Sequence, residues 1–206
     1  MRRVLVSISG FSSEVGKTTL LCRLLEKRQG WEAIKMTRGH YRSCGKDPEA
    51  CCVSGLLGDK PIILSGRDAT FKLGKDTGRY WEAGAGNVHW VIGTDNQIEP
   101  GLAVALERVR APGAFIEGNS FLKFTDADYS IMVASPSLTD IKSSALAILP
   151  KMKALFISQQ EPEPEVVGVL FERLERRGAR KLTLPVYFGR DWQALNEEIN
   201  RITPSA

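Results

Sequence analysis

The sequence has 206 residues and a mass of 22.7 kDa, the length of one ordinary domain. Its 43% hydrophobic and 25% charged residues are typical of a globular chain and exclude an intrinsically disordered one. The net charge is +4 and the basic residues are interspersed with acidic ones, which argues against a protein that binds nucleic acid.

The compartment follows from what the sequence lacks. No segment has the ~18 consecutive apolar residues that a membrane span needs. The apolar run after Met1 is short and has no signal-peptide cleavage site. We therefore expect a cytoplasmic protein with no membrane partner and with reduced thiols. The four cysteines are then core residues, metal ligands or redox groups rather than a disulfide framework.

Segments typical of strands alternate with segments typical of helices. In chain order we predict a strand at 2–9, a helix at 17–28, a strand at 32–37, irregular sequence at about 38–73, a helix at 76–85, a strand at 88–92, a helix after 99–100, strands at 114–117 and 129–134, a helix from Thr139 to Pro150, a strand at 153–158, a helix ended by Gly178, a strand at 181–188 and a last helix from Asp191. This alternation predicts an α/β fold, a mostly parallel sheet with helices on both faces. We expect one domain over residues 1–206, with an insertion at about 38–73 that contains cysteine and histidine.

A glycine-rich turn, GFSSEVGKTT, joins the first predicted strand to the first predicted helix at residues 10–19. Between a strand and a helix, this pattern is typical of a phosphate-binding loop, although five residues separate its glycines where four are usual. Lys17 would reach the β- and γ-phosphates, and the Thr18 hydroxyl would complete a Mg²⁺ shell. Backbone N–H groups would surround the polyphosphate, from Ser13, Glu14, Val15, Gly16, Lys17, Thr18 and Thr19. The sequence therefore predicts a three-layer P-loop NTPase fold that binds GTP or ATP with Mg²⁺.

Two charged residues lie on other predicted strands of the sheet. Glu117 ends its strand, and ligands bind at the carboxyl ends of the strands in an open parallel sheet. There it would hold Mg²⁺ or orient an attacking water, and the alternative is a surface glutamate in a turn. Lys35 lies either near the γ-phosphate or on a solvated face, and the sequence favours neither. Lys17, Lys35 and Glu117 are the candidate catalytic residues.

The insertion offers soft metal ligands close together in sequence. One histidine and three cysteines fall within thirteen residues, at His40, Cys44, Cys51 and Cys52. Thiolate and imidazole together suit a tetrahedral Zn²⁺ site or a cluster, although adjacent cysteines are awkward ligands for one ion. The alternatives are small buried side chains and redox-active thiols. We expect Cys22 to be a core residue, His89 to be structural, and the tryptophans at 81, 90 and 192 to belong to the core.

The bound base is not evident from the sequence. A guanine-specific Asn-Lys-x-Asp motif would follow the strand at 153–158, where this chain has Ser-Gln-Gln-Glu. A carboxylate at Glu161 or Glu163 would suit guanine, whereas Gln159 or Gln160 would suit adenine. The sequence is therefore compatible with GTP and with ATP.

Three further blocks of the sequence are distinctive, namely IKMTRGH at 34–40, GKDTGRYWEAGA at 74–85 and FIEG at 115–118. They resemble the MobB family of molybdopterin-guanine dinucleotide biosynthesis adaptor proteins, in which these blocks read approximately I-K-H-x-x-H, G-K-D-[ST]-x-R-x-x-E-A-G-A and [VI]-E-G. The phosphate loop is similar to that of dethiobiotin synthetase, G-T-D-T-E-V-G-K-T, in which a lysine corresponding to Lys35 lies near phosphates and substrate. The MobB resemblance implies that Asp76 joins Thr18 and Glu117 around Mg²⁺. From its residue type alone, Asp76 is equally a helix N-cap.

Three functions follow from the phosphate loop, the resemblances and the insertion. The first is Mg²⁺-dependent binding and slow hydrolysis of GTP or ATP in molybdenum cofactor biosynthesis, with a pterin or other small-molecule substrate near Asp76. Slow turnover is expected because the sequence shows no arginine finger or positioned glutamine. The second is an ATP-dependent synthetase similar to dethiobiotin synthetase. The third is a nucleotide-gated metal chaperone or adaptor that uses the Cys/His insertion. Homodimers are common in the resembled families, so a homodimer is a further expectation.

Overall fold

The computed structural model describes residues 3–39, 56–136, 140–161, 163–179 and 183–203. Its strands within these ranges are β1 (Val4–Gly10), β2 (Glu32–Arg38), β3 (Ile62–Ser65), β4 (Asn87–Gly93), β5 (Gly113–Glu117), β6 (Tyr129–Ala134), β7 (Ala154–Ile157) and β8 (Val186–Tyr187). Its helices are α1 (Lys17–Glu26), α2 (Arg67–Thr70), α3 (Asp76–Glu82), α4 (Ile98–Arg108), α5 (Ser143–Ile148), α6 (Pro164–Arg176) and α7 (Trp192–Ile202).

The strands form one sheet in the order β3-β4-β2-β5-β1-β6-β7-β8. β3 pairs with β4 in the antiparallel sense, and every other neighbouring pair is parallel. All residues of β5, β6 and β7 are buried, which requires cover on both faces of the sheet. The architecture is a three-layer α/β fold, as the alternating pattern predicts.

The register of the central strands places two charged residues side by side. β5 lies between β1 and β2, and its last residue, Glu117, pairs with Ile8 on one side and with Lys35 on the other. Residues paired across neighbouring strands point to the same face of a sheet. The carboxylate of Glu117 and the ammonium of Lys35 therefore meet beside the end of β1, where the glycine-rich turn begins.

A buried polar cluster fixes the amino-terminal end of β2, away from the carboxyl ends of the strands. His89 is fully buried, with Nδ1 at 2.8 Å from Ser65 Oγ and Nε2 at 2.7 Å from Glu32 Oε2. The other oxygen of Glu32 accepts hydrogen bonds from the backbone N–H groups of Arg110 and Ala111 at 2.7 and 2.8 Å. This cluster joins β2, β3 and β4, and it confirms the structural assignment of His89.

Several predicted boundaries differ from the structure. The irregular stretch predicted at 38–73 contains β3 and α2, because a short apolar segment becomes an edge strand by pairing with β4. The strand predicted at 181–188 is present only as β8, among the residues described there. α5 begins at Ser143, and the predicted cap Thr139 lies outside the described residues.

Other expectations concern the insertion and the membrane. The ligand set His40, Cys44, Cys51 and Cys52 lies outside the described residues, so the zinc prediction stays a prediction. Among the residues that the structure describes, no helix has the length and apolar character to cross a membrane.

Candidate functional site

The glycine-rich loop connects the last residue of β1 to the first residue of α1. Its backbone is left-handed at Glu14, with φ 58°, and at Gly16, with φ 97°. A Cβ on Gly16 would lie 2.9 Å from the Cβ of Ser158, so only glycine allows this approach to the segment after β7. The loop leads directly into α1, a ten-residue helix whose first backbone N–H groups have no partner within the helix.

Lys17 folds back over the loop that precedes it. Its Nζ donates a hydrogen bond of 2.8 Å to the carbonyl oxygen of Ser12. A Cβ on Gly10 would lie 2.8–2.9 Å from the Lys17 side chain, so glycine at this position leaves room for the lysine. Burial lowers the pKa of Lys17 to about 8; the charge of Glu117 opposes this shift, while those of Lys35 and Lys142 add to it. A buried ammonium of this kind is stabilised by a bound anion.

Four polar side chains from different parts of the chain meet beside the loop. The Nζ of Lys35 lies 2.6 Å from Asp76 Oδ2 and 2.5 Å from Glu117 Oε1. The Thr18 hydroxyl lies 3.0 Å from Asp76 Oδ1 and 2.9 Å from Glu117 Oε2. The start of α1, the middle of β2, the start of α3 and the end of β5 are therefore joined by one network. We refer to Thr18, Lys35, Asp76 and Glu117 as the carboxylate cluster.

The carboxylate cluster is largely removed from water on the side of Glu117. The Glu117 side chain is 2% exposed and that of Lys35 is 18%, while the side chain of Asp76 is 43% exposed. Burial opposes the charge of Lys35, yet the neighbouring charges of Glu117 and Asp76 outweigh it and raise the pKa of Lys35. Burial likewise opposes the charge of Asp76, and Lys35 together with the Thr18 hydrogen bond lowers the pKa of Asp76. The cluster thus contains two carboxylates stabilised by one ammonium.

Tyr80 fixes the orientation of the buried carboxylate. Its ring is fully buried on α3, and its hydroxyl donates a hydrogen bond to Glu117 Oε2. Burial, followed by the charge of Glu117 and the hydrogen bond to it, raises the pKa of Tyr80 well above its usual range. Tyr80 is therefore a neutral donor that holds the second oxygen of Glu117 in place.

The end of β5 is tied to the start of the glycine-rich loop. Asn119 Oδ1 accepts the backbone N–H of Gly10 at 3.0 Å, and its Nδ2 donates to the carbonyl of Gly10 at 2.9 Å. Ser9 Oγ donates to the carbonyl of Gly118 at 2.9 Å. These bonds fix the position of Glu117 relative to the loop.

Two further cations touch the loop from outside it. The Nζ of Lys142 donates to Ser13 Oγ at 2.8 Å, and its backbone N–H donates to the carbonyl of Phe11 at 2.9 Å. Burial lowers the pKa of Lys142; Asp140 opposes this shift, and the charges of Arg38 and Lys35 add to it. On the other side, the Arg79 guanidinium donates to Thr19 Oγ1 at 3.1 Å. Positive side chains therefore flank the loop on two sides.

The structure decides between several alternatives that the sequence leaves open. Lys75 occupies the N-cap position of α3, with no side-chain cap, so the interpretation of Asp76 as an N-cap is wrong. The interpretations of Glu117 as a surface residue and of Lys35 as part of a solvated face are also wrong, since both are mostly buried in the carboxylate cluster. Cys22 is only partly buried, and it packs against the core with its thiol donating to the Arg79 carbonyl. The tryptophans at 81 and 192 are likewise partly buried and pack against the core.

The segment proposed to contact the base lies next to the loop. Gln159 donates to Glu163, and Glu161 forms an ion pair of 3.0 Å with Arg190. The backbone N–H of Gly189 donates to the carbonyl of Gln159 at 2.6 Å, which joins this segment to the one before α7. These contacts favour neither guanine nor adenine.

Sequence reasoning missed three residues of the site. Tyr80 lies within the block GKDTGRYWEAGA, and that membership was the available signal. Asn119 and Lys142 carried no signal, because their contacts with the loop join residues more than a hundred positions apart. In the described part of the chain, no group of three or more His, Cys, Asp or Glu residues is arranged to hold a metal ion. The carboxylate cluster supplies two carboxylates and a hydroxyl.

No protein-family model matches the chain, and no curated protein matches it. Among solved structures, a plasmid partition protein from Borrelia burgdorferi is similar, with 16% identity, a TM-score of 0.46 and an alignment that covers 98% of each chain. A de novo designed protein with a P-loop NTPase fold is similar at 10% identity and a TM-score of 0.34, over 98% of this chain and 91% of the designed one.

The fold rests on the geometry of the chain itself. A glycine-rich loop with Gly-Lys-Thr connects a central parallel strand to a helix, and the neighbouring strand ends in a buried glutamate that contacts the threonine of the loop. With helices covering both faces of the sheet, this is the three-layer arrangement of a P-loop NTPase.

Proposed function

We propose that the chain binds a nucleoside triphosphate together with Mg²⁺ at the glycine-rich loop and hydrolyses the nucleotide slowly. The observation that carries the proposal is the convergence of Thr18, Asp76 and Glu117 beside Lys17. The two carboxylates of this set are paired with one ammonium, that of Lys35, so one negative charge is left uncompensated and a further cation would be stabilised beside the loop.

The chemistry of the donors fits Mg²⁺. Magnesium prefers hydroxyl, carboxylate and water oxygens, and it is commonly held by one or two carboxylates together with phosphate oxygens. Thr18, Asp76 and Glu117 offer this set. The two carboxylates already bind one cation, the ammonium of Lys35. When bound, Mg²⁺ would neutralise charge on the β- and γ-phosphates.

The residues of the chain have separate tasks in this proposal. The N–H groups at residues 13–19 and the ammonium of Lys17 bind the phosphates, since an anion is stabilised at the start of a helix. Lys142 supplies a further cation from beyond β6, at Ser13. Tyr80 and Asn119 position Glu117, and Asn119 also positions the start of the loop. We take residues 1–206 as a single domain for these tasks.

The test of the proposal is a pair of lysine variants on the same helix. Lys17→Met removes the ammonium over the loop, and Lys27→Met removes one at the opposite end of α1, where Lys27 lies 5.7 Å from the Trp192 ring. Hydrogen bonds to charged groups contribute about 1.5–3 kcal/mol each, so Lys17→Met should weaken nucleotide binding at least about tenfold. Lys27→Met should leave it unchanged. Equal affinities for both variants would remove the glycine-rich loop from the proposal.

We infer a role in molybdenum cofactor biosynthesis as the more specific form of this function. Its support is that the three blocks resembling the MobB family contribute Lys35, Asp76, Tyr80 and Glu117, and these four residues form a single network. A pterin-containing substrate would lie near Asp76, which is the more exposed carboxylate of the cluster. Binding of a pterin phosphate that disappears in Asp76→Asn but not in the exposed control Asp68→Asn would support this role.

A synthetase activity similar to that of dethiobiotin synthetase is the second candidate. The spacing of the loop and the position of Lys35 beside the carboxylates favour it. The test is product formation from ATP, bicarbonate and diaminopelargonic acid. Product would establish this candidate, and phosphate release without product would leave the first one.

A metal-chaperone activity depends on residues outside the described part of the chain. It predicts zinc or iron in the purified protein, and it predicts that Cys44→Ser with Cys51→Ser removes the metal without changing nucleotide affinity. An unchanged metal content in that double variant would end this proposal.

A further inference from the structure

The carboxylate cluster contains a feature that the proposed function does not explain. The two carboxylates assigned to Mg²⁺ are already bridged by an ammonium, since Lys35 Nζ lies 2.6 Å from Asp76 Oδ2 and 2.5 Å from Glu117 Oε1. Lys35 is mostly buried, and Glu117 is almost completely so. The ammonium therefore compensates one of the two carboxylate charges from within the protein, and the second negative charge is left uncompensated.

The bridge stabilises the two carboxylates in the protein without metal. Two carboxylates that share one hydroxyl repel each other, and burying Glu117 without an opposite charge would be strongly unfavourable. The ammonium of Lys35 lowers this cost by compensating one of the two charges. Lys35 contacts Asp76 Oδ2 and Glu117 Oε1, while the Thr18 hydroxyl contacts the other oxygen of each carboxylate. A divalent cation bound beside Thr18 would repel the nearby ammonium, so the metal and Lys35 compete for the negative charge of the same two carboxylates.

We propose that Lys35 is a displaceable counter-ion, which holds the carboxylate cluster together in the absence of metal and is driven onto the bound polyphosphate when Mg²⁺ binds. This inference rests on the proposed function, and it adds a coupling between the metal and the nucleotide.

The charges around Lys35 indicate where the released ammonium goes. The ammonium groups of Lys17 and Lys142 lie near enough to Lys35 that its charge adds to burial in lowering the pKa of each. Arg38 follows on the same strand and is paired with Asp95 at 2.9 Å, and Asp140 lies near Lys142. Arg79, on α3, contacts Thr19 and adds a positive charge near Asp76. A released Lys35 would therefore stand among like charges, and a polyphosphate is the group that makes this position favourable.

The consequence is positive coupling between Mg²⁺ and nucleotide. Metal binding frees a cation for the phosphates, and the phosphates stabilise that cation after it leaves the carboxylates. Coupling between two sites is reciprocal and commonly changes affinity about 5–150-fold. The effect of Lys35 on nucleotide affinity should therefore appear only when metal is present.

The experiment compares Lys35→Met with Lys142→Met, which removes the same charge without touching the carboxylates. Mn²⁺ binding to the nucleotide-free protein is measured by electron paramagnetic resonance. Lys35→Met should bind Mn²⁺ at least about tenfold more tightly than the wild type, whereas Lys142→Met should stay within about threefold. An Mn²⁺ affinity of Lys35→Met within about twofold of the wild type would overturn the inference.

The second readout is ATP affinity in excess EDTA and in Mg²⁺. Lys35→Met should match the wild type in EDTA and lose at least about tenfold in Mg²⁺, while Lys142→Met should lose affinity in both. An equal loss for Lys35→Met in both conditions would mean that Lys35 contacts phosphate permanently, and the inference would be wrong. If the wild type binds no nucleotide in either condition, the proposed function fails, and the Mn²⁺ measurement still decides the role of Lys35.

A second variant covers the case in which Lys35→Met does not fold. Arginine holds carboxylates through two parallel hydrogen bonds, so Lys35→Arg should keep the bridge and resist displacement. Its Mn²⁺ affinity should be lower than that of the wild type. A higher or unchanged affinity would contradict a competition between the side chain and the metal.

Discussion

Substitution of Glu117 by glutamine tests the centre of the site, because this change keeps the shape of the side chain and removes its charge. One oxygen of Glu117 faces Lys35, and the other faces the hydroxyls of Thr18 and Tyr80. A glutamine can point its oxygen at Lys35 and its amide group at the two hydroxyls, both of which can accept a hydrogen bond. The fold should therefore survive.

The expected loss of stability in Glu117→Gln follows from the hydrogen bonds that change. Hydrogen bonds to charged groups contribute about 1.5–3 kcal/mol and neutral ones about 0.5–1.5 kcal/mol. Lys35 keeps its contact with Asp76, which limits the loss. We expect the free energy of unfolding to fall by about 2 kcal/mol. For a chain of this length that corresponds to about 4–8 °C in Tm.

The functional effect should be larger than the effect on stability. Loss of a metal-binding carboxylate should weaken nucleotide binding in Mg²⁺ at least about tenfold, since even indirect partners of metal ligands commonly contribute that much. Calorimetric titration in Mg²⁺ and thermal unfolding by circular dichroism measure the two effects. Glu107→Gln, an exposed residue of α4, makes the same change of charge elsewhere and is the control. An affinity of Glu117→Gln within about twofold of the wild type in Mg²⁺ would refute the assignment of Glu117 as a metal ligand.

Three further predictions concern stability, nucleotide binding and thiol reactivity. Glu32→Gln replaces the charged partner of His89 with a neutral one, so it should lower the free energy of unfolding by about 2 kcal/mol while leaving nucleotide affinity unchanged. An altered affinity would contradict the separation of this buried cluster from the glycine-rich loop. Gly16→Ala places a Cβ 2.9 Å from Ser158 at a positive φ, so calorimetry should show weaker nucleotide binding in a variant that still folds; wild-type binding would mean that the loop tolerates the strain. Burial raises the pKa of the Cys22 thiol to about 11, so its thiolate is scarce below that pH. Alkylation of Cys22 at pH 8, followed by mass spectrometry, should be on the order of 100-fold slower in the native than in the unfolded chain and should accelerate as the pH approaches 11; equal rates would show an accessible thiolate.

The loop and its neighbouring carboxylate were predictable because their signals are local. Gly16, Lys17 and Thr18 form a short motif between a strand and a helix, and the backbone conformation needed there restricts the sequence. Glu117 was predictable because the carboxyl ends of parallel strands meet at one edge of a sheet. Neither inference requires knowledge of the order of the strands.

The remaining parts of the site depend on contacts between distant segments. The bridge between Lys35 and Glu117 follows from the pairing of β2 with β5, a register that the sequence does not specify. Lys142 reaches Ser13 across 129 positions of the chain. β3 is a four-residue edge strand whose sequence is too short to show a period and which becomes a strand only beside β4. Tertiary pairing decides such features, and local propensity does not.

Calorimetric titration of the wild-type protein with ATP and with GTP, in Mg²⁺ and on a sample of determined metal content, tests the central claim most directly. The account predicts saturable binding of one triphosphate per chain, and binding that weakens when EDTA replaces Mg²⁺. The absence of binding for both nucleotides would mean that a loop with five residues between its glycines does not hold a polyphosphate, and the account would be contradicted.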